Sequence, residues 1–436
     1  MKHGKFLRYT RIAAGSLFFL AAALTFSGTA AGCSFIFKAQ AGPALMRYAA
    51  APSWSTAAVC LAALVLATLL FGRIYCAVFC PFGLLQDIFS FLSRRKAKKV
   101  RDFFILRSAV AGIVLGLLSG GINAGFLALD PYSGFGRIAG AVTLSGIAVL
   151  VVIAVLAVWK KRIFCTALCP VGTVLGFFSK AGFSRLTINE KCLKCGKCEK
   201  LCPAGCIDVS RGVIDNGRCV RCFDCVAACP VSCISLEMGK NDLADGSRRQ
   251  FLISGGVLLA GLAAGAAAAR TGLFETARKL KILPPGAGDP GRFTKKCTAC
   301  LLCAVNCPSK IIVPAKYGAG PVELDLSRGS CRWDCARCSQ VCPTGALPFL
   351  SLSQKRKIKI AEAKFDPRKC IAFQEGTPCG RCAKACPTGA VVLRKNGTPR
   401  SVKTDLCVGC GACQEACPAA PKAMTVHAVE KQNQIN

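Results

Sequence analysis

Six times this chain repeats a cysteine pattern that leaves little freedom in how it can fold. Cys192–Cys195–Cys198–Cys202, Cys219–Cys222–Cys225–Cys229, Cys297–Cys300–Cys303–Cys307 and Cys407–Cys410–Cys413–Cys417 all read C-x2-C-x2-C-x3-C-P. Cys331–Cys335–Cys338–Cys342 and Cys370–Cys379–Cys382–Cys386 keep the pattern but widen its first gap to three and eight residues. This is the spacing by which bacterial ferredoxins hold [4Fe–4S] clusters. Three thiolates at i, i+3 and i+6 wrap one cubane from a single loop, while the fourth cysteine, on the helix that follows, turns to the neighbouring cluster. The proline after it cannot continue a hydrogen-bonded ladder and leads the chain away. Six [4Fe–4S] clusters, and one-electron chemistry, are therefore expected.

Other uses of the 32 cysteines fit less well. Cysteines this close in sequence rarely reach disulfide geometry with one another. Zinc ribbons carry two separated C-x2-C knuckles, without a third cysteine in the run or a trailing Cys-Pro. The formal charge of +35 counts those cysteines as neutral. Each oxidised cubane with four thiolates is 2−, which leaves about +23. That excess sits beside apolar segments and around the clusters, and no module pairing aromatic with basic residues points to nucleic acid. His3 and His427, at opposite ends, are the only histidines, so axial ligands for an intrinsic haem are missing.

Hydrophobic residues make up 53% of the chain and are concentrated rather than dispersed. Four apolar segments, about 12–32, 53–71, 108–129 and 138–159, are each about 20 residues, enough to cross a bilayer. Lys2, Lys5, Arg8 and Arg11 precede the first. Arg73, Arg94, Arg95, Lys96, Lys98, Lys99 and Arg101 lie between the second and third, and Lys160, Lys161 and Arg162 follow the fourth. The intervening loops hold only Lys38, Arg47 and Arg137. By the positive-inside rule the N-terminus and the region after residue 160 face the cytoplasm, with Trp54 and Trp159 at span ends. A cleaved signal ending at Ala30-Ala31-Gly32-Cys33 would leave an odd number of spans and spoil this charge pattern.

The rest of the chain divides at its punctuation. Residues 187–240 carry the first two cluster motifs. Ser247-Arg248-Arg249-Gln250-Phe251-Leu252 then opens an Ala/Gly-rich apolar run to Ala269, followed by Arg270. This reads as a twin-arginine export signal over 241–272, against a fifth membrane helix whose arginines merely obey the charge rule. Residues 273–291 form a linker ending in Pro284-Pro285-Gly286-Ala287-Gly288-Asp289-Pro290-Gly291. Residues 292–425 carry the other four motifs, and 426–436 read as a frayed polar tail. The expected architecture is an α-helical membrane domain (1–186) plus two α+β ferredoxin-like domains. Residues 187–247 would be cytoplasmic and 292–436 periplasmic.

Ligand exchange within the first ferredoxin domain puts Cys192, Cys195, Cys198 and Cys229 on one cluster and Cys219, Cys222, Cys225 and Cys202 on the other. Outside the six motifs, Cys76-Ala-Val-Phe-Cys80-Pro81 and Cys165-Thr-Ala-Leu-Cys169-Pro170 follow the second and fourth spans. Their symmetric placement makes Cys76, Cys80, Cys165 and Cys169 candidates for a shared metal or cluster, or for a redox dithiol. Cys206 and Cys233, four residues beyond the last ligand of their motifs, read as packing residues, because Ala346 and Ala390 fill the equivalent slots. Cys60 reads as a helix-packing residue.

Four spans, two Cys-x3-Cys-Pro motifs and a trailing two-cluster domain resemble NapH, the membrane subunit associated with periplasmic nitrate reductases. The Ser-Arg-Arg-x-Phe-Leu signal and the four motifs after it resemble NapG of the MauM/NapG type, its exported ferredoxin partner. The chain is similar to a fusion of the two over about residues 5–425. NosR-type and oxidase-assembly relatives share the N-terminal plan. The resemblance implies a quinol dehydrogenase module that oxidises membrane quinol and passes electrons to a periplasmic reductase or cytochrome. From four-cluster ferredoxin subunits it also implies that the outer two and inner two motifs pair in the last domain. Cys297, Cys300 and Cys303 would share a cluster with Cys417, and Cys407, Cys410 and Cys413 with Cys307. Cys331, Cys335 and Cys338 would use Cys386, and Cys370, Cys379 and Cys382 would use Cys342. Spacing alone also allows neighbours to pair. Quinol oxidation releases protons, and only Asp87, Asp102 and Asp130 precede Glu190 as acids. Asp87, just after the first Cys-x3-Cys-Pro, is the candidate acceptor, while Asp130 before Pro131 caps the end of a span. The alternative function is an accessory donor that matures or reactivates a periplasmic metalloenzyme.

Overall fold

The computed structural model describes residues 2–29, 37–50, 56–93, 103–140, 144–239, 245–271, 280–315, 321–376, 378–394 and 399–435. It divides into two compact units, Met1–Phe274 and Glu275–Asn436. Cys33, Trp54, Asp102 and the basic run 94–101 fall outside the described residues.

The first unit opens with α1 (Lys2–Phe26), α2 (Ala41–Ala50), α3 (Thr56–Phe71), α4 (Ile74–Val78) and α5 (Pro81–Leu92). It continues with α6 (Phe104–Ser119), α7 (Ala124–Leu129), α8 (Pro131–Ala139) and α9 (Leu144–Lys160). A π-helical turn (Phe164–Leu168) and α10 (Pro170–Ala181) close the helical part. Pro81, Pro131 and Pro170 open their helices, where the missing N–H costs nothing. The expected segments are recovered with different bounds. The one at 108–129 is broken in two, because Gly120 and Gly121, the latter at φ 90°, end α6 and let the chain turn into α7. The one at 138–159 begins only at Leu144, α8 being a separate short helix. At 16 or 17 residues, α3, α6 and α9 each rise about 25 Å. Among the described residues, two helices are long and apolar enough to cross a membrane: Gly4–Phe26 and Arg248–Arg270.

The second of these lies in α13 (Asp245–Arg270), which packs along α6. Gly112 and Gly116 on α6, and Gly120 just past its end, recur every fourth residue and meet Gly261, Gly265 and Ala269 on α13, the first two with backbone against backbone. A Cβ at Gly116 would run into the Leu262 carbonyl, and one at Gly265 into that of Ile113. Such small-residue stripes let helices approach closely without a hydrophobic driving force. The two helices run parallel. At its start α13 touches α10, through stacked Phe177 and Phe251 rings 4.2 Å apart and a 2.6 Å bond from Lys180 to Gln250.

A ferredoxin-like lobe completes the first unit. β1 (Ser184–Ile188) pairs antiparallel with β4 (Ile234–Met238), in register from Ser184 opposite Met238 to Ile188 opposite Ile234. Between them come α11 (Lys197–Leu201), the hairpin of β2 (Ile207–Asp208) and β3 (Val213–Ile214), and α12 (Asp224–Ala228). The start of α1 docks on α12 through an Arg8–Asp224 ion pair of 2.9 Å and the contact of Gly4 with Val226. The N-terminus and this lobe therefore lie at the same end of the helices.

In the second unit α14 (Pro290–Lys296) is followed by two dicluster lobes. The first holds α15 (Leu302–Val305), the pair β5 (Ile312–Val313) and β6 (Glu323–Leu324), and α16 (Arg337–Gln340). After α17 (Leu352–Arg356) comes β7 (Ile358–Phe365). The second lobe holds α18 (Ile371–Gln374), α19 (Arg381–Lys384), β8 (Val391–Leu393), β9 (Pro399–Val402) and α20 (Ala412–Ala416). β10 (Met424–Gln434) ends the unit. The tail expected to fray is thus a strand. It pairs antiparallel with β7, from Met424 opposite Phe365 to Gln434 opposite Ile358, with a bulge after Ala428. The Pro/Gly stretch expected to be a linker is tied in by it as well. The Gln432 side chain accepts from the amides of Gly286 and Gly288 at 3.0 and 3.3 Å and donates to the carbonyls of Leu283 and Pro284 at 3.0 Å.

Candidate metal centres

In the first lobe, Cys202, Cys219, Cys222 and Cys225 line one pocket, the same four that ligand exchange groups together. Cys192 and Cys229 meet beside Cys233, with Cys198 packed in the same core and Cys195 exposed. Cys206 and Cys233 are buried, as packing residues are, but they also touch ligand sulfurs. Cys206 Sγ lies 3.5 Å from Cys202 Sγ, and Cys233 Sγ lies 3.3 Å from Cys229 Sγ. The hydrogen bond from Cys206 pulls the Cys219 thiol down to about 6 against the opposing effect of burial, favouring the thiolate that metal binding needs.

The second unit pairs its motifs differently from the expected scheme. Cys297, Cys300 and Cys303 share a pocket with Cys342. Cys331, Cys335 and Cys338 share one with Cys307. Cys370, Cys379 and Cys382 meet Cys417, and Cys407, Cys410 and Cys413 meet Cys386, each in a pocket of its own. Neighbouring motifs pair, and the scheme that joined the outer two motifs to each other and the inner two to each other is overturned. Consecutive motifs close into a lobe before the chain moves on, so each fourth cysteine finds its cluster locally. The lobes join where the Cys331 amide donates to the Cys410 carbonyl at 2.8 Å, which brings one site of each lobe side by side. Burial pushes Cys297, Cys338 and Cys413 up to about 12, so they are held as thiolates only with a cation such as iron beside them. Among the described residues no three His, Cys, Asp or Glu groups converge tightly enough for a single ion. Zinc asks for four sulfurs about 2.3 Å from one point, whereas a cubane spreads its ligands over four irons.

The two Cys-x3-Cys-Pro motifs prove to be copies of a longer segment. Arg73-Ile-Tyr-Cys76-Ala-Val-Phe-Cys80-Pro-Phe-Gly83 matches Arg162-Ile-Phe-Cys165-Thr-Ala-Leu-Cys169-Pro-Val-Gly172. All four cysteines are buried and are electrostatic neighbours of one another. The arginines cross over. Arg73 Nη2 donates to the Cys165 carbonyl and Arg162 Nη1 to the Cys76 carbonyl, both at 2.8 Å. Gly83 and Gly172 press on the carbonyls of Cys76 and Cys165, where no Cβ fits. Nitrogen donors reach the sulfurs: Gln86 Nε2 lies 3.1 Å from Cys165 Sγ, the Gly172 amide 3.3 Å from Cys169 Sγ, and Arg73 Nη2 3.8 Å from Cys76 Sγ. Sequence reasoning read Arg73 and Arg162 as topology signals. The Arg-Ile-aromatic-Cys repeat was the sign that they belong to the site.

Asp87, the expected proton acceptor, is instead taken up by two arginines. Its oxygens take Arg162 Nε and Nη2 at 2.6 and 2.5 Å, and Arg11 as well, so it clamps α1, α5 and the second repeat together. Asp130 caps the start of the short helix α8 rather than the end of a span, accepting from the Ser133 amide and hydroxyl at 2.8 and 2.7 Å, while its buried Oδ1 has no hydrogen-bond partner among the described residues.

Family models agree with this layout. A 4Fe–4S binding domain matches residues 54–99 and again 142–188, once for each repeat, and another matches 189–205. Two 4Fe–4S dicluster domains match 296–346 and 362–418, the two lobes of the second unit. This is an iron–sulfur protein. The four-thiol sites fit such clusters in donor number, and the five that line pockets fit them in enclosure as well. The chain is similar to the methylamine utilization ferredoxin-type protein MauN of Paracoccus denitrificans, 30% identical over 37% of this chain and 60% of that one. An uncharacterized protein of Methanocaldococcus jannaschii is 28% identical over 33% and 63%. The putative electron transport protein YccM of Escherichia coli is 27% identical over 34% and 46%. The chain thus spans roughly half to three fifths of the length of these relatives. No solved structure matches it.

Proposed function

We propose that the chain is a membrane-bound electron carrier that takes electrons from quinol and passes them through six [4Fe–4S] clusters to a reductase or cytochrome across the membrane. The observation that carries this reading is the packing of α13 on α6. A matched stripe of small residues on both helices suits a retained membrane helix. α13 begins beside the first lobe and ends at the far end of α6, so the twin-arginine segment would lead the second unit out while remaining as its anchor. In this reading the first lobe and residues 187–247 are cytoplasmic, and 292–436 are periplasmic. Export of a unit already folded around clusters suits a twin-arginine signal, since bare thiols threaded into an oxidising compartment risk disulfides. Resemblance to the NapH and NapG pair supports quinol as the donor. With Asp87 occupied, buried Asp130 is the better acceptor for the protons that quinol gives up.

The test uses the full-length protein in lipid vesicles. Reduced quinone should bleach the cluster absorption, and Asp130→Asn should slow the bleaching at least tenfold while leaving iron content unchanged. Failure of every quinol to reduce the clusters would sink this reading and favour an accessory donor to a maturing metalloenzyme. Mass spectrometry of the membrane-extracted protein checks the anchor: one uncut chain is expected, and a cut before or after Arg270 would refute it.

A further inference from the structure

We infer that Cys76, Cys80, Cys165 and Cys169 together hold one further iron–sulfur cluster, joined through Arg73 and Arg162 to the site of Cys202, Cys219, Cys222 and Cys225. The inference rests on reading the chain as an electron carrier, but not on quinol as the source.

Charge supplies the first argument. Arg73 is wholly buried, and its partners are the carbonyls of Cys165, Gly217 and Arg218 and the Cys76 thiol. Its Nε has no partner, and no carboxylate among the described residues pairs with it. A buried cation left without a counter-charge is strongly unfavourable. Arg162, equally buried, has Asp87, but that carboxylate also serves Arg11. A cluster bound by four thiolates carries a net charge of about 2− and would balance what the acids leave over. Four neutral thiols, or a pair of disulfides, would leave Arg73 unbalanced.

Geometry supplies the second. Each repeat contributes two cysteines, and neither could complete a four-ligand site alone. The crossed arginine bonds lock the halves at a fixed distance, and donors already reach three of the four sulfurs. Such donors are what set a cluster's potential.

The third argument is the route onward. Arg73 Nη1 donates to the carbonyls of Gly217 and Arg218 at 3.2 and 3.4 Å, immediately before Cys219. The Arg162 amide donates to the Pro203 carbonyl at 3.1 Å, immediately after Cys202. Both arginines therefore stand between the four-thiol site and two ligands of the same ferredoxin-type site. Transfer along this contact moves one electron, oxidising one cluster as the other is reduced, and breaks no bond.

The experiment counts iron and acid-labile sulfide in anaerobically purified full-length protein. Six cubanes account for about 24 irons, so a further cluster adds about two or four more. Cys76→Ser with Cys80→Ser, and Cys165→Ser with Cys169→Ser, should each remove that same excess, and all four together should remove no more. One reduced-state EPR signal should vanish in every case. Arg73→Gln should keep the iron but lower the potential of that signal, and Arg73→Lys should restore part of the shift. A wild-type count that stops at about 24 overturns the inference, and needs no variant to fold. So does zinc in place of the excess iron, or independent losses from the two pairs, which would mean two sites. Clusters that quinol fails to reduce, with the excess iron present, would sink the proposed function and leave this inference standing.

Discussion

The lobe of the first unit and the lobes of the second carry the same ligand pattern in different company. The first is built into the helical part by buried arginines: Arg73 and Arg162 bond to it from the helical repeats, and Arg221 reaches back against Gly72. Its ligand sulfurs have thiols for neighbours, Cys206 and Cys233. The second unit closes on itself through β7 and β10. Its ligand sulfurs have hydroxyls for neighbours, Thr344 at 3.6 Å from Cys342 and Thr388 at 3.5 Å from Cys386. One motif thus serves two designs, a lobe that must dock on helices and a pair of lobes that must hold themselves together. The residues around the cysteines decide which.

The largest effect that tests this contrast is the loss of a cluster. Replacing Cys297, Cys300 and Cys303 by serine, with or without Cys342→Ser, should cost the same four or so irons, because the four share a site. A loss near eight in the combined variant would restore the pairing of outer with outer and inner with inner motifs and undo the picture of two local lobes. Next come variants that should each disturb one unit alone. Gly116→Leu drives a side chain into α13 and should destabilise the first unit by about 1–3 kcal/mol, leaving the second unchanged in thermal unfolding followed by cluster absorbance. Gln432→Ala should do the reverse, at about 1–3 kcal/mol, by stranding the amides of Gly286 and Gly288. If either variant weakens both units equally, they are not independent. The smallest effect concerns the sulfur neighbours. Cys206→Ala and Thr344→Ala each delete a donor that favours the more negative, reduced cluster. Redox titration should show the affected potential falling by some tens of millivolts, about 1 kcal/mol for one electron. An unchanged potential in both would make thiol and hydroxyl mere packing.

Much of this architecture is legible in the cysteines, since their spacing dictates which three bind together wherever the chain goes. The fourth ligand is another matter. In the first lobe two motifs leave one exchange to make, and the structure gathers the expected four. In the second unit four motifs leave several, and only the tertiary closure of each lobe decides among them. Arg73 and Arg162 were hidden for a different reason. A basic residue beside an apolar span already has an ordinary explanation, and burial, which shows that explanation to be incomplete, is not written in one dimension. Asp87 fell to the same blindness, being defined by Arg11 and Arg162, which are distant in sequence. The last strand misled because Glu430, Lys431 and Gln432 look like a solvated tail. The alternation from Met424 to Ala428, opposite a β7 not yet recognised, was the missed sign.

That last strand bears on the order in which the molecule is made. β10 follows Cys417, so every ligand of the second unit has been synthesised before the strand that closes it. Until then β7 has an open edge, and residues 283–288 lack the side chain that ties them down. The four sites are therefore complete in their ligands before β10 is added, and the pairing of that strand with β7 is the step that locks the unit.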